Sequence, residues 1–159
     1  MSITLVSNDG QSFQVSRDII RQIGTIDELF KDMGFDNEPD DRIEPIPCTS
    51  INGHILKMII EYCTHHINDP EMREDDRRSI PLPQWDTDFF TKHKESLNEL
   101  YMASHTLNVK KLTKACAQYI ADSLNGKSTA EIGQIMGIKC DMTPEEQERI
   151  RKENAWCWD

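Results

Sequence analysis

A four-residue signature for the start of an α-helix recurs along this chain and limits its fold more than any other feature. In this signature a Ser or Thr precedes a Glu by three residues, and the two side chains satisfy backbone N–H groups that the first turn leaves unbonded. It occurs at residues 25–28, 96–99, 128–131 and 143–146. Four copies, each followed by apolar residues at helical spacing, predict four helix starts.

Apolar side chains also recur every three or four residues, as one face of a helix requires. Residues 50–66 are apolar on more than one side, which predicts a central buried helix. Three further stripes comprise Leu97, Leu100, Tyr101 and Leu107, then Val109, Leu112, Cys116, Tyr119, Ile120 and Leu124, and finally Ile132, Ile135 and Met136. The chain after residue 50 is therefore predicted to be mainly helical.

The N-terminal part is predicted to form a small sheet. Residues 3–6 and 11–15 are rich in strand-forming residues and flank Asp9-Gly10, a pair typical of a tight hairpin because Gly adopts the positive φ that such turns need. A third strand is predicted at residues 43–48. Its two prolines cannot donate ladder hydrogen bonds, which favours a short or edge strand.

Two segments lack a periodic apolar pattern. Residues 34–42 are predicted to form an acidic loop. Residues 67–83 combine charges and prolines, and such a segment buries too little apolar surface to offset the entropy lost on ordering. We therefore predict that residues 67–83 form an acidic, mobile linker.

The formal net charge of −10 argues against two kinds of partner. Nucleic acid is bound by clustered Lys and Arg, and anionic membrane surfaces attract the same residues. No apolar run approaches the roughly 20 residues of a membrane span. The first residues lack the basic and apolar regions of a signal peptide, so we predict an intracellular protein that binds neither nucleic acid nor membrane.

Catalytic and metal chemistry are poorly supported by the sequence. The triplet Cys63, His65 and His66 suggests metal ligands, but adjacent helical residues point about 100° apart, and no second Cys/His pair follows nearby. A thiolate nucleophile would require an electropositive pocket around Cys63. We predict no metal site, no cofactor, no enzymatic activity and free thiols for the five scattered cysteines.

The C-terminal tail carries two of the three tryptophans, Trp156 and Trp158. Trp is over-represented among the residues that anchor protein interfaces. Two interpretations stay open at this point, because the tail could anchor a partner or pack against its own domain.

Several segments resemble one known family along the whole chain. They are YCTHH at 62–66, P-x-W-D at 83–86, SLNELYMASHTLNVKKL at 96–112, LNGKSTAEI at 124–132 and IKCDMTPEEQERIRKENAW at 138–156. Together they resemble the S-phase-kinase-associated adaptors of Skp–cullin–F-box ubiquitin ligases. The resemblance implies an α/β fold, with a POZ/BTB-type domain (a small three-stranded sheet with helices) and a C-terminal helical extension. It implies a POZ core at 1–66, the linker at 67–83, helices completing the POZ domain at 84–107, and an F-box-binding extension at 108–159.

The implied function is that of a non-catalytic adaptor. It would bridge an F-box substrate receptor to a cullin scaffold in ubiquitin-dependent protein degradation, in the cytoplasm and nucleus. The implied cullin contacts are His105 and Thr106. The implied F-box contacts are Leu97, Asn98, Tyr101, Leu112, Thr113, Ile120, Ile132, Met136, Ile138, Ile150, Asn154 and Trp156.

Departures from the family pattern suggest a diverged paralogue. His105-Thr106 stands where the family has Asn-Tyr at its cullin contact, so the sequence favours retained F-box binding over retained cullin binding. On the F-box side Asn98 replaces a Phe and Thr113 a Leu, each exchanging apolar area for a polar group, and Lys111 replaces a Gly. The alternative is a POZ scaffold protein that has lost cullin binding and forms a homodimer through its F-box surface.

Overall fold

The computed structural model describes residues 2–70, 81–139 and 141–157. The chain divides into two compact units, an N-terminal unit, Met1–Ser123, and a C-terminal unit, Leu124–Asp159. Among the described residues, no helix is both long enough and apolar enough to cross a membrane.

The N-terminal unit contains a three-stranded sheet with the strand order β2-β1-β3. Strands β1 (Ile3–Ser7) and β2 (Ser12–Val15) form the predicted hairpin, with Ile3 opposite Val15. Gly10 takes a φ of +81° in the turn, and its N–H donates to the carbonyl O of Ser7 over 3.0 Å. Strand β3 pairs parallel with β1 at the sheet edge, as predicted, but comprises only Ile46–Cys48.

Helices make up most of the rest of the N-terminal unit. They are α1 (Arg17–Gln22), α2 (Gly24–Asp32), α3 (Gly53–His65), α4 (Gln84–Lys92), α5 (Leu97–Thr106) and α6 (Lys110–Leu124). The predicted α/β fold class is confirmed. Among the described residues of this unit, three short 3₁₀ turns lie between the longer elements, at Phe35–Asn37, Asp40–Arg42 and Lys94–Ser96.

Helix α3 is the central buried helix, as predicted for residues 50–66. It begins where the side chain of Asn52 accepts a hydrogen bond from the Ile55 N–H over 2.9 Å, which satisfies one of the free donors of the first turn. Its side chains are buried on several sides, including Leu56, Ile59 and Tyr62, and they join the sheet and α5 in one core.

Helix α6 contributes to that same core, since Leu112 and Cys116 are fully buried within it. The predicted domain boundaries placed this helix in the C-terminal extension that starts at residue 108. By compactness the chain divides after Ser123, and the functional boundary at residue 108 stays a prediction.

The C-terminal unit contains α7 (Thr129–Met136), α8 (Pro144–Glu153) and a 3₁₀ turn at Ala155–Cys157. Both helices begin with the predicted capping box, at Ser128 and Thr143. Both capping residues have extended backbone conformations, with ψ near 160°, which aims the hydroxyl at the N–H three residues ahead. Two of the four predicted helix starts are therefore confirmed with their side-chain bonds.

The other two predicted capping boxes are wrong. Ser96 ends a 3₁₀ turn that runs directly into α5, and its ψ of 6° is not the extended conformation of a cap. Thr25 already lies inside α2, and its hydroxyl donates instead to the carbonyl O of Thr106 over 3.1 Å.

The predicted acidic loop at 34–42 is held in place by one arginine. Arg17 Nε lies 2.6 Å from Asp40 Oδ1, and its guanidinium also donates to the carbonyl oxygens of Phe35, Asp36 and Glu38. Asp40 is buried beneath this contact. The loop is thus anchored to the start of α1 by charge-assisted hydrogen bonds.

Most of the predicted mobile linker, residues 71–80, lies outside the described residues. At its described ends, Ile67 and Leu82 are half-buried and pack against the core of the N-terminal unit. Mobility of the segment between them stays a prediction.

Candidate protein-interaction surfaces

The C-terminal unit presents apolar side chains to solvent. None of its described residues is buried. Trp156 is 76% exposed and Ile138 is 64% exposed, and the side chains of Ile135, Met142 and Ile150 are exposed as well. We call these five residues the apolar surface of the C-terminal unit. Large apolar side chains left exposed on a charged chain are candidates for contact with a partner.

Local backbone chemistry positions the first part of this surface. Helix α7 ends at Gly137, whose φ of +65° is the left-handed conformation that glycine adopts without steric cost. The N–H of Ile138 then donates to the carbonyl O of Gly133 over 2.8 Å, and that of Gly137 to Gln134 over 3.3 Å. This pair of bonds is the Schellman motif, and it fixes the direction in which Ile138 leaves the helix.

The second part of the surface follows from the end of α8. Asn154 Nδ2 donates to the carbonyl O of Ile150 over 2.8 Å, which satisfies one of the last carbonyls of the helix. The 3₁₀ turn at Ala155–Cys157 follows directly and carries Trp156. Of the two interpretations of the aromatic tail, the exposure of Trp156 favours the one in which the tail anchors a partner. Trp158 lies outside the described residues.

The predicted F-box contacts in the N-terminal unit differ in exposure. Asn98 is exposed, while Tyr101, Thr113 and Ile120 are half-buried. Leu97 and Leu112, in contrast, are buried in the core. Leu112 has no exposed surface that a partner could contact, because in this structure its side chain packs α6 against the core.

The hydroxyl of Thr113 faces the interior. It lies 3.0 Å from Ser104 Oγ and 3.1 Å from the carbonyl O of Val109, and the buried Ser104 in turn donates to the carbonyl O of Tyr101 over 2.7 Å. The role of Thr113 as an F-box contact stays a prediction, and its hydroxyl is already hydrogen-bonded within the chain. The two hydroxyls form an internal bridge between α5 and α6, which leaves neither polar group unsatisfied.

The predicted cullin contacts lie at the C-terminal end of α5, where His105 and Thr106 are both exposed. The nearby Met102 side chain is 64% exposed. A shallow groove of about 220 Å³ adjoins these residues. It is lined by Ser50, Ile51, Asn52, Ile55, Glu99, Met102, Ala103 and Thr106. We call it the α5 groove.

Comparison with known proteins decides the family. The Skp1 family tetramerisation domain matches residues 1–68, and the Skp1 family dimerisation domain matches residues 110–157. A Skp1-related protein from Caenorhabditis elegans is 40% identical over 161 residues, which cover 99% of this chain and 92% of the relative. The chain belongs to the Skp1 family.

Fungal relatives agree with this assignment. The E3 ubiquitin ligase complex SCF subunits sconC of Talaromyces marneffei and Talaromyces stipitatus are each 36% identical to the chain. Each match covers 99% of this Skp1-family chain and 97% of the relative. The predicted family is thus confirmed along the full length.

Three buried cysteines of this Skp1-family chain, Cys48, Cys63 and Cys116, are unsuited to nucleophilic catalysis. Burial raises the pKa of the Cys63 thiol to about 12, and burial does the same for Cys116. A nucleophilic cysteine requires the opposite shift, since the thiolate is the reactive form. Cys140 lies outside the described residues.

The two adjacent histidines, His65 and His66, point into different surroundings, as the helical geometry predicted. His65 stacks on the Trp85 ring, with a centroid distance of 3.7 Å, and the planes of the two imidazoles are nearly perpendicular. In the part of the chain that is described, no cluster of His, Cys, Asp or Glu side chains is arranged to hold a metal ion.

Sequence reasoning missed two exposed apolar residues of these surfaces. Met102 lies beside the Tyr101 stripe and Met142 precedes the capping residue Thr143. Met is a common residue of adaptable binding surfaces because its side chain is flexible and polarizable. An apolar residue outside the buried stripe of an amphipathic helix would have been the signal for Met102.

Proposed function

We propose that this chain is the non-catalytic adaptor subunit of an SCF-type E3 ubiquitin ligase, which bridges an F-box substrate receptor to a cullin. The observation that carries this proposal is the apolar surface of the C-terminal unit. Its largest side chain, Trp156, is rigid and mostly exposed. Side chains of this kind supply much of the binding energy in interfaces when a partner buries them.

The predicted F-box contacts lie in two sets, one in each unit, and each set is considered by itself. In the C-terminal unit the F-box arm of the proposal uses Ile132, Met136, Ile138, Ile150, Asn154 and Trp156. In the N-terminal unit it uses the exposed Asn98 and the half-buried Tyr101, Thr113 and Ile120. The name of the sconC relatives, which are SCF subunits, supports this arm.

The cullin arm of the proposal is the end of α5. His105 and Thr106 are exposed there beside Met102 and the α5 groove, so a partner has apolar area and hydrogen-bonding groups within one patch. Thr106 offers less contact area than the Tyr of the family pattern. We therefore expect weaker cullin binding than in a family member with Asn-Tyr.

The chain itself carries out no catalytic step in this proposal, and it acts in the cytoplasm and nucleus. The raised pKa values of Cys63 and Cys116 support a non-catalytic role. Imaging of the fluorescently tagged protein tests the location, and exclusion from both compartments would contradict it.

Affinity purification of the tagged full-length chain tests the function. A stoichiometric F-box protein is the expected result, with a cullin in the same complex at lower occupancy. Light scattering on the purified chain tests the alternative scaffold. A stable homodimer that excludes F-box proteins would overturn the adaptor proposal.

A further inference from the structure

A buried histidine after α3 lies between two carboxylates. His66 is only 6% exposed. Its Nδ1 lies 2.6 Å from Asp69 Oδ2, and its Nε2 lies 2.8 Å from Asp86 Oδ1. Asp69 belongs to the turn that follows α3, and Asp86 to the first turn of α4. One imidazole ring thus connects two segments of the N-terminal unit through both of its nitrogens.

The contacts of His66 Nδ1 with Asp69 and of His66 Nε2 with Asp86 are both short enough to require a hydrogen atom between nitrogen and oxygen. A neutral imidazole carries one N–H, and its other nitrogen presents a lone pair. A lone pair that faces a carboxylate oxygen at 2.6 Å is repelled, so a neutral ring satisfies one of the two contacts and opposes the other. The three side chains therefore hold one proton more than a neutral imidazole with two carboxylates.

The neighbouring charges favour placing that proton on the ring. Lys111 Nζ lies 2.6 Å from Asp69 Oδ2, and hydrogen bonds from Lys111 and then His66 hold the pKa of Asp69 below its usual value. Asp86 is buried and accepts a further bond from the Tyr62 hydroxyl over 3.2 Å. The ring lies between two carboxylates, and an imidazolium would place a positive charge beside Asp86, the one that Lys111 does not contact.

The other side chains around the His66 ring do not change this distribution of charge. The Tyr62 ring lies 4.3 Å from the imidazole, and burial raises the pKa of its hydroxyl well above the usual value, so it stays neutral. The thiols of Cys63 and Cys116 stay neutral as well, because burial raises both pKa values to about 12. Trp85 and His65 contact the group through their rings.

We propose that His66 is an imidazolium and that it closes a proton-dependent clasp, which fastens the turn after α3 to α4 and, through Lys111, to α6. The clasp comprises Lys111, Asp69, His66 and Asp86, whose charges alternate in sign and sum to zero. Helix α6 also carries Thr113 and Ile120 of the proposed F-box arm. The clasp therefore steadies the start of a helix that the adaptor function uses, although it stands independently of that function.

When the His66 ring loses its extra proton, we expect its contact with Asp69 to break first. The side chain of Asp86 is 4% exposed and that of Asp69 is 43% exposed. The neutral ring keeps its N–H for the buried Asp86, where an unpaired carboxylate is costly, while Asp69 turns toward water and Lys111. Because the folded state holds the extra proton, the stabilising contribution is present at acid pH and is lost as the pH rises and the proton leaves.

Nitrogen NMR of the histidine rings tests the charge state directly. In the wild-type chain at pH 6 we expect both ring nitrogens of His66 to give the shifts of protonated nitrogens. In Asp69→Asn we expect only one protonated nitrogen at the same pH, because an amide can donate to the lone pair that a carboxylate repels. A neutral His66 ring in the folded wild type would overturn the proposal, and so would an unchanged ring in Asp69→Asn.

Thermal unfolding between pH 6 and pH 9 tests the clasp. We expect the thermal midpoint of the wild type to fall as the pH rises. In His66→Gln this fall should be smaller. His65→Gln is the matched control, since His65 is the adjacent histidine and contacts Trp85 by stacking, and its profile should follow the wild type. Parallel profiles for wild type and His66→Gln would refute a proton-dependent clasp. If His66→Gln does not fold, the wild-type and Asp69→Asn spectra decide the question.

Discussion

Replacing Trp156 with alanine removes a side chain that is 76% exposed in the free chain. Complete burial of a Trp removes about 150–250 Å² from water. The exposed part therefore offers a partner about 110–190 Å², or about 3–5 kcal/mol at about 25 cal/mol per Å². The part that is already covered contributes only about 1 kcal/mol to folding on the same scale.

We expect Trp156→Ala to weaken binding of an F-box partner by at least about 2 kcal/mol, or about 30-fold, since the cost of ordering the complex reduces the gross value. Isothermal titration calorimetry against a purified F-box protein measures the loss. Thermal unfolding of the same variant should change by only a few degrees.

Met33→Ala is the matched control for Trp156→Ala. Met33 is an exposed apolar residue just after α2, outside both proposed arms, so its removal should leave F-box affinity unchanged. If Trp156→Ala binds like the wild type, the apolar surface of the C-terminal unit is not an F-box anchor. A large loss of stability with normal binding would show instead that Trp156 packs within its own chain.

Three further changes test other parts of the structure. Ser104→Ala should destabilise the fold by about 1 kcal/mol in urea titrations, and Thr113→Leu should cost less in the Ser104→Ala background than alone; additive effects would refute the hydroxyl bridge. Restoring the family pair with His105→Asn and Thr106→Tyr should tighten cullin binding several-fold to about tenfold in surface plasmon resonance, and no gain would show that this patch does not limit recognition. Hydrogen bonds from Ser128 lower the pKa of Glu131 below its usual 4.5, so its contribution to α7 is complete above that value and is lost as the pH falls through the lower, folded-state pKa. Circular dichroism in acid should show this loss for the wild type and a flatter profile for Glu131→Gln.

Features set by neighbouring residues were predictable from the sequence. The hairpin depends on Gly10 and the residues beside it, and the caps at Ser128 and Thr143 depend on a side chain three residues ahead. The same signature was misleading at Ser96 and Thr25. Ser96 ends a 3₁₀ turn that runs into α5, and α2 begins one residue before Thr25, so in both cases packing outside the four-residue pattern sets the helix start.

Features that join distant residues were not predictable in the same way. Arg17 and Asp40 are 23 positions apart, and His66 and Asp86 are 20 apart, so no local pattern indicates either pair. Prediction of the interaction surfaces from sequence meets a related limit. Periodicity correctly indicated that Leu112 lies on an apolar face, but it cannot distinguish a face covered by the chain's own core from one left for a partner.

The short edge strand β3 has a consequence for behaviour in concentrated solution. An exposed strand edge is a template on which a second chain can add and start an aggregate. β3 is only three residues long, and Pro47 at its centre has no N–H to donate. Such an edge cannot support a continuous ladder with another molecule. A chain that keeps apolar side chains exposed for its partners thus lacks, at this edge, a backbone template for pairing with a strand of a second molecule.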